Sequence, residues 1–144
     1  MKVKIKKLKE NAIIPTRGSD KAAGYDLYAC CDEPTFINPY KTEKISTGLS
    51  IQPPEGYFGA IFARSGLAIN AGLRPANCVG VCDQDYTGEY IVALYNDSSS
   101  IRAINPGDRI AQLVFLPYMD VDFCETDNLD STERGDSGFG STGR

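Results

Sequence analysis

Histidine is missing from all 144 residues. Its absence removes Ser–His and Cys–His nucleophile pairs, imidazole general bases, and the His-containing zinc sites of most metallohydrolases and nucleobase deaminases. Any general base is then a carboxylate or, less readily, a lysine or tyrosine. No apolar run reaches membrane-spanning length, and the start Met1-Lys2-Val3-Lys4-Ile5-Lys6 lacks the apolar stretch of a signal peptide. The expectation is a soluble cytoplasmic protein with no membrane partner. An excess of positive charge is lacking too. A net charge of −4 and a pI near 4.8 argue against nucleic acid as a partner. An acidic chain that binds a polyphosphate needs local cationic groups at the site, and a divalent cation would assist them.

Paired metal-ligand cysteines are also wanting. The five cysteines are Cys30, Cys31, Cys78, Cys82 and Cys124, an odd number with one vicinal pair. The x₃ spacing of Cys78 and Cys82 in an extended segment does not match a C-x₂-C zinc knuckle, so buried, reduced thiols are expected.

What is present has the period of strands. Val3 and Ile5 alternate with lysines, and Ile45, Thr47, Leu49 and Ile51 alternate until Pro53-Pro54-Glu55-Gly56 breaks the run. Tyr57 to Ala63, Glu89 to Asn96 and Ile110 to Leu116 read as buried strands, with turn residues at short intervals between them. One helical stretch is expected, Ser65 to Ala71 with Ser65 as its N-cap. These features predict an all-β jelly-roll sandwich or barrel with one short helix. The body is expected over 1–128, and a flexible glycine-rich tail over 129–144.

Four clusters fall at strand ends or loops. Ala23-Gly24-Tyr25-Asp26-Leu27 places an aspartate beside a glycine, as a turn cap or a functional group. Arg64-Ser65-Gly66 stands where a strand meets the helix start, a setting for phosphate; capping explains the serine but not the arginine. Asn77 to Glu89 reads as a hairpin in which Gly88 supplies positive φ. Asp83 there is the most attractive general base in a chain without histidine, and Asp85 a structural or turn contact. In Pro106-Gly107-Asp108-Arg109-Ile110-Ala111-Gln112, Asp108 and Arg109 read as a surface ion pair. Gln112 is an amide among apolar residues that needs a partner.

The tail Arg134-Gly135-Asp136-Ser137-Gly138-Phe139-Gly140-Ser141-Thr142-Gly143-Arg144 holds four glycines, three hydroxyls, two arginines and one aromatic. Glycine backbones form anion-binding concavities, arginine grips phosphate oxygens in pairs, and an aromatic ring can stack on a base. The tail reads as a nucleoside-phosphate clamp or, more plainly, as a solvated Gly/Ser segment.

In order and spacing, these four clusters and the tail resemble the five motifs of the homotrimeric dUTPase family. The resemblance runs from the Ala-Gly-Tyr-Asp-Leu-Tyr segment to the Gly-Phe-Gly-Ser-Thr-Gly end. It implies a jelly-roll subunit in a threefold trimer with active sites shared between subunits, and hydrolysis of dUTP to dUMP and pyrophosphate with Mg²⁺. Such an activity limits uracil incorporation into DNA and supplies dUMP. By motif match, Asp83 would activate water and Tyr86 would pack on the deoxyribose. Asn77 and the backbone around Gly80, Val81, Cys82 and Ile91 would read uracil. Arg64, Ser65, Gly66 and Gln112 would hold phosphates. Arg134, Gly140, Ser141 and Thr142 would grip the outer phosphates with Phe139 over the base. Asp26 would sit near the metal shell or support the arginines, while Mg²⁺ is held by phosphates and waters rather than by side chains. Two departures stand out: Cys82 replaces the family's usual isoleucine, and Asp136 puts a carboxylate in the tail. The alternatives are a dCTP deaminase, or a bifunctional deaminase–dUTPase, on the same fold, and a nucleotide-sensing regulatory protein.

Overall fold

The computed structural model describes residues 2–138. Its strands are β1 (Lys4–Lys7), β2 (Tyr25–Tyr28), β3 (Thr35–Ile37), β4 (Thr42–Gln52), β5 (Tyr57–Phe62), β6 (Leu73–Pro75), β7 (Gly80–Cys82), β8 (Glu89–Asn96), β9 (Arg102–Ile104) and β10 (Arg109–Pro117). Two four-stranded sheets, in the orders β1-β4-β8-β6 and β2-β10-β5-β7, make the sandwich, and β3 and β9 form a two-stranded ladder. Pairing among the described strands is antiparallel. From β4 to β8 the chain changes sheet at every strand, so sequential strands lie in different layers. This is the all-β jelly-roll architecture that the alternation and turn spacing predict.

The core lies between the layers. Leu27, Leu49, Leu94 and Ile37 are fully buried, and Ile51, Ile104, Ile110 and Leu113 nearly so. Each such side chain contributes roughly 1.5–3 kcal/mol by leaving water, which is why the alternating apolar positions dictate register. One buried amide, Asn96, ties the end of β8 to its surroundings by donating to the carbonyls of Ile37 (2.9 Å) and Ser100 (2.8 Å).

In β4, Ile45, Thr47, Leu49 and Ile51 are buried as expected, yet the strand is irregular. Ser46 faces Ile91 and Ser50 faces Glu89, so Thr47, Gly48 and Leu49 together oppose the single residue Tyr90. Gly48 has φ +66°, and a Cβ built there would come 2.8 Å from the Cys30 sulfur, so only glycine fits this bulge.

Four expectations are corrected. β7 and β8 are not a hairpin: β7 pairs with β5, whereas β8 pairs with β4 and β6. Gly88 is not among the positive-φ residues; its smallness serves Tyr86 instead, as shown below. Ser65 is not a cap. A five-residue π-helical turn spans Leu67–Ala71 behind Gly66, which already has helical dihedrals and has no side chain to accept a capping bond. The Ala68 N–H reaches the Arg64 carbonyl at 3.0 Å, so the turn begins before a serine cap could act. Arg109 also does not pair with Asp108, whose carboxylate accepts from the Asn105 backbone N–H at 2.7 Å.

Candidate functional site

β7 is an edge strand, and its alternation sorts the residues of the third cluster. Cys82 turns inward and is buried, while Val81 and Asp83 face outward. A cavity of about 250 Å³ opens there, lined by Asn77, Gly80, Val81, Cys82, Asp83, Tyr86 and Ile91 together with Glu89 and Tyr90. Residues from both sheets therefore meet in one pocket. Gly80 lets its wall close up, since a Cβ built there would lie 3.1 Å from the Ile61 Cβ and 3.4 Å from the Asn77 amide nitrogen. The preceding turn is tight, with the Val79 N–H on the Asn77 carbonyl at 2.6 Å and Cys78 at φ +57°. Val81, Tyr86 and Ile91 leave apolar surface exposed around the opening, the surface a ligand or partner would cover.

Tyr86 is held in place from three sides. Its backbone N–H closes a turn onto the Asp83 carbonyl at 3.2 Å, and its hydroxyl donates to the Glu89 carbonyl at 2.9 Å. Its ring lies 6.2 Å from that of Tyr90 at an interplanar angle of 29°. A Cβ at Gly88 would come 2.5 Å from the Tyr86 hydroxyl, which is what glycine is for at this position.

The other predicted residues gather elsewhere. Asp26 on β2 accepts from Arg64 Nε at 2.8 Å and from an Arg109 Nη at 3.3 Å, a bridge between two cations. Arg64 also reaches the Arg109 carbonyl at 3.2 Å. Gln112 on β10 pairs in register with Asp26, and its amide donates to the Ala63 carbonyl at 2.8 Å, just before Arg64. Gly24 admits that amide, because a Cβ there would be 2.5 Å from Gln112 Oε1. Ser65 and Gly66 are exposed at the start of the helical turn. Arg64, Ser65, Gly66 and Gln112 do not line the Asn77–Ile91 cavity. The described residues thus form two half-sites, a pocket whose charged lining residues are the acids Asp83 and Glu89, and an arginine cluster. Arg134 is described, its Nε donating to the Ser137 carbonyl at 2.8 Å, but Phe139, Gly140, Ser141 and Thr142 lie outside the described residues.

Sequence reasoning passed over two residues. Glu89 accepts from the Ser46 hydroxyl and, at 2.8 Å, from the Gly48 N–H, tying the pocket to the β4 bulge. Tyr90 reads as ordinary core, and only its place one residue from Glu89 in an inward-facing position hinted at more. Burial pushes the Cys82 thiol up to about 11 and pushes the Tyr90 phenol further above its ordinary value. Among the described residues no group of three or more Cys, Asp or Glu side chains forms a metal cage. Among the described residues no helix is long and apolar enough to cross a membrane.

A family model for dUTPase matches residues 10–143. The chain is 47% identical over 146 residues to the deoxyuridine 5′-triphosphate nucleotidohydrolase of Desulfitobacterium hafniense, covering 99% of this chain and 97% of that relative. A Staphylococcus bacteriophage 80alpha dUTPase variant solved with dUpNHpp superposes with a TM-score of 0.85 at 26% identity, covering 99% of each chain. A variant dUTPase from phage phi11 of S. aureus, described as coordinating a structural Mg(II) ion, gives a TM-score of 0.82 at 24% identity, covering 91% of this chain and 100% of that one; this likeness concerns the fold.

Proposed function

The chain belongs to the dUTPase family and hydrolyses dUTP to dUMP and pyrophosphate; we propose that the Asn77–Ile91 pocket takes the nucleoside and the Arg64 cluster the triphosphate. One observation carries this reading: residues assigned to the nucleoside by motif line a single cavity, although they come from two sheets. Asn77 and the free edge of β7 read the uracil edge, with Gly80, Val81, Cys82 and Ile91 forming a slot too narrow for a thymine methyl. Tyr86 packs on the deoxyribose and leaves no room for a 2′-hydroxyl, a steric form of discrimination.

Asp83 is the base. Its carboxylate takes a proton from the attacking water as the new P–O bond forms, the α–β phosphoanhydride breaks, and pyrophosphate leaves with the electron pair. Arg64, Ser65, Gly66 and Gln112 stabilise the charge that develops on the phosphates. Arg134, Phe139, Gly140, Ser141 and Thr142 close over the ligand, excluding other water. Mg²⁺, which neutralises phosphate charge when bound, fits this site through phosphate oxygens and water, because both Asp26 oxygens are engaged by arginines. The two half-sites of one chain lie in different cavities, and this supports a homotrimer in which one subunit offers the nucleoside pocket and a neighbour the arginine cluster.

The test is pyrophosphate release with Mg²⁺ from dUTP beside dCTP, dTTP and UTP. Rapid release from dUTP alone is expected. Ammonia from dCTP would overturn the assignment of the pocket.

A further inference from the structure

Tyr90 is the one residue of β8 that faces the whole β4 bulge, and several contacts converge on it. Its carbonyl accepts from the buried Thr47 hydroxyl at 2.6 Å, and its neighbour Glu89 accepts from the Gly48 N–H at 2.8 Å. Tyr90 takes an inward-facing position in the regular alternation of β8, and its side chain reaches across the sandwich from one sheet to the other. The ring lies beneath Tyr86. The hydroxyl ends between the sheets at Gly59 of β5: a Cβ built on Gly59 would lie 3.0 Å from it and 3.4 Å from the Cys82 Cβ. Tyr90 is 1% exposed, and its hydroxyl lies against the Cys82 thiol, a weak partner, with no hydrogen bond of ordinary geometry among the described residues.

A core position that needed only apolar volume would take phenylalanine, since a weakly paired buried hydroxyl is unfavourable. The hydroxyl instead fills space that two small neighbours leave for it, Gly59 and Cys82. Cys82 immediately precedes Asp83, and the phenol tip occupies volume that a branched aliphatic side chain at position 82 would claim.

We propose that Tyr90 is a positioning residue of the pocket that carries the Tyr86 ring and spaces β8 from β7 by wedging its hydroxyl between Gly59 and Cys82. It touches no reacting atom in this scheme. It acts through Tyr86, which sets selection against a 2′-hydroxyl, and through Cys82, which sets where β7 delivers Asp83. The inference rests on the reading of Tyr86 as the sugar-discriminating wall.

The experiment compares the full-length chain with Tyr90→Leu, Cys82→Ile, Tyr90→Phe and the Cys82→Ile/Tyr90→Phe double variant, with Tyr86→Leu as control. Thermal unfolding is recorded alongside kcat/KM for dUTP and UTP. Tyr90→Leu is expected to lower the preference for dUTP over UTP about tenfold, a ratio that a purely structural loss would leave unchanged. Cys82→Ile is expected to cut kcat for dUTP roughly tenfold, and adding Tyr90→Phe to restore at least half of that rate by making room for the larger side chain. An unchanged dUTP/UTP ratio in Tyr90→Leu, with a lowered ratio in Tyr86→Leu, would overturn the positioning role and leave the pocket reading intact. Additive effects of Cys82→Ile and Tyr90→Phe would overturn the wedge. An unchanged ratio in Tyr86→Leu would overturn the reading of Tyr86 itself, and the inference with it.

Discussion

Arg64 donates through Nε to Asp26 at 2.8 Å, so the carboxylate on β2 fixes the guanidinium that follows β5. The Asp26 side chain is 13% exposed, and its second oxygen engages Arg109 at 3.3 Å. Such a bridge orients one arginine and keeps two like charges close together, which an anionic ligand then neutralises. Asp26→Asn keeps the shape but weakens both charge-assisted bonds. The loss of about 1 kcal/mol in ligand orientation corresponds to roughly a fivefold rise in KM for dUTP, with a smaller change in kcat. Steady-state kinetics check this, and an unchanged KM would detach the Arg64 cluster from phosphate binding.

Gly88 and Tyr86 make a sharper case. Backbone strain does not require glycine here, because φ at this residue is not positive. Steric contact does: an alanine Cβ would sit 2.5 Å from the Tyr86 hydroxyl and 2.6 Å from its Cζ. Gly88→Ala therefore swings the ring away and breaks its bond to the Glu89 carbonyl. The melting temperature is expected to stay within a few degrees, since one exposed hydrogen bond contributes about 1 kcal/mol. Discrimination between dUTP and UTP is expected to fall about tenfold. Parallel assays of the two nucleotides read both effects.

How much of this was legible in the chain can be traced residue by residue. Alternation announced β1 and β4, because a half-buried strand writes its period into the sequence, and β-rich apolar runs announced β5, β8 and β10. β3, β6 and β9 have three residues each, too few to show a period. The β7–β8 hairpin was expected because two strand-like runs flank a glycine-containing turn. The chain instead crosses between layers there, a choice settled by packing of Cys82 and Tyr90 against the core rather than by the turn. The β4 bulge was masked because Thr47, Leu49 and Ile51 keep their alternation through it. At the site, motif spacing picked out Asp83 and Arg64 but not Tyr90, since a buried tyrosine resembles any other core aromatic until its neighbours are known.

The thiols separate by burial. Cys78 and Cys124 are exposed, Cys31 is intermediate, and Cys30 and Cys82 are buried. At neutral pH a thiol-labelling reagent followed by mass spectrometry is expected to modify Cys78 and Cys124 quickly and Cys82 only after unfolding. Burial raises the Cys82 thiol from 9.0 to about 11, so the folded chain holds this proton more tightly than the unfolded one. Its contribution to stability is therefore complete below about pH 9 and declines as pH rises from 9 towards 11. Denaturant midpoints measured across that window are expected to fall, and to fall less in Cys82→Ala.

The separation of Asp83 from Arg64 on one chain leads to the strictest prediction. Asp83→Asn removes the base and is expected to lower kcat by a factor of about 10²–10⁴ while dUTP still binds. Arg64→Ala disables the phosphate cluster and is expected to be nearly as inactive. If each site takes its nucleoside pocket from one subunit and its arginine cluster from another, the two defects need not coincide. Co-refolding equal amounts of the variants puts an intact pocket and an intact cluster together when each of two subunits happens to be the right one. Each is right half the time, so roughly a quarter of the sites become whole and activity returns to about a quarter of that of the unaltered chain. Sites built within a single subunit would each keep one defect, whatever the mixture. Activity in the mixed sample no higher than the mean of the two variants would therefore sink the shared-site arrangement, while the activity of each variant alone reports on Asp83 and Arg64 independently.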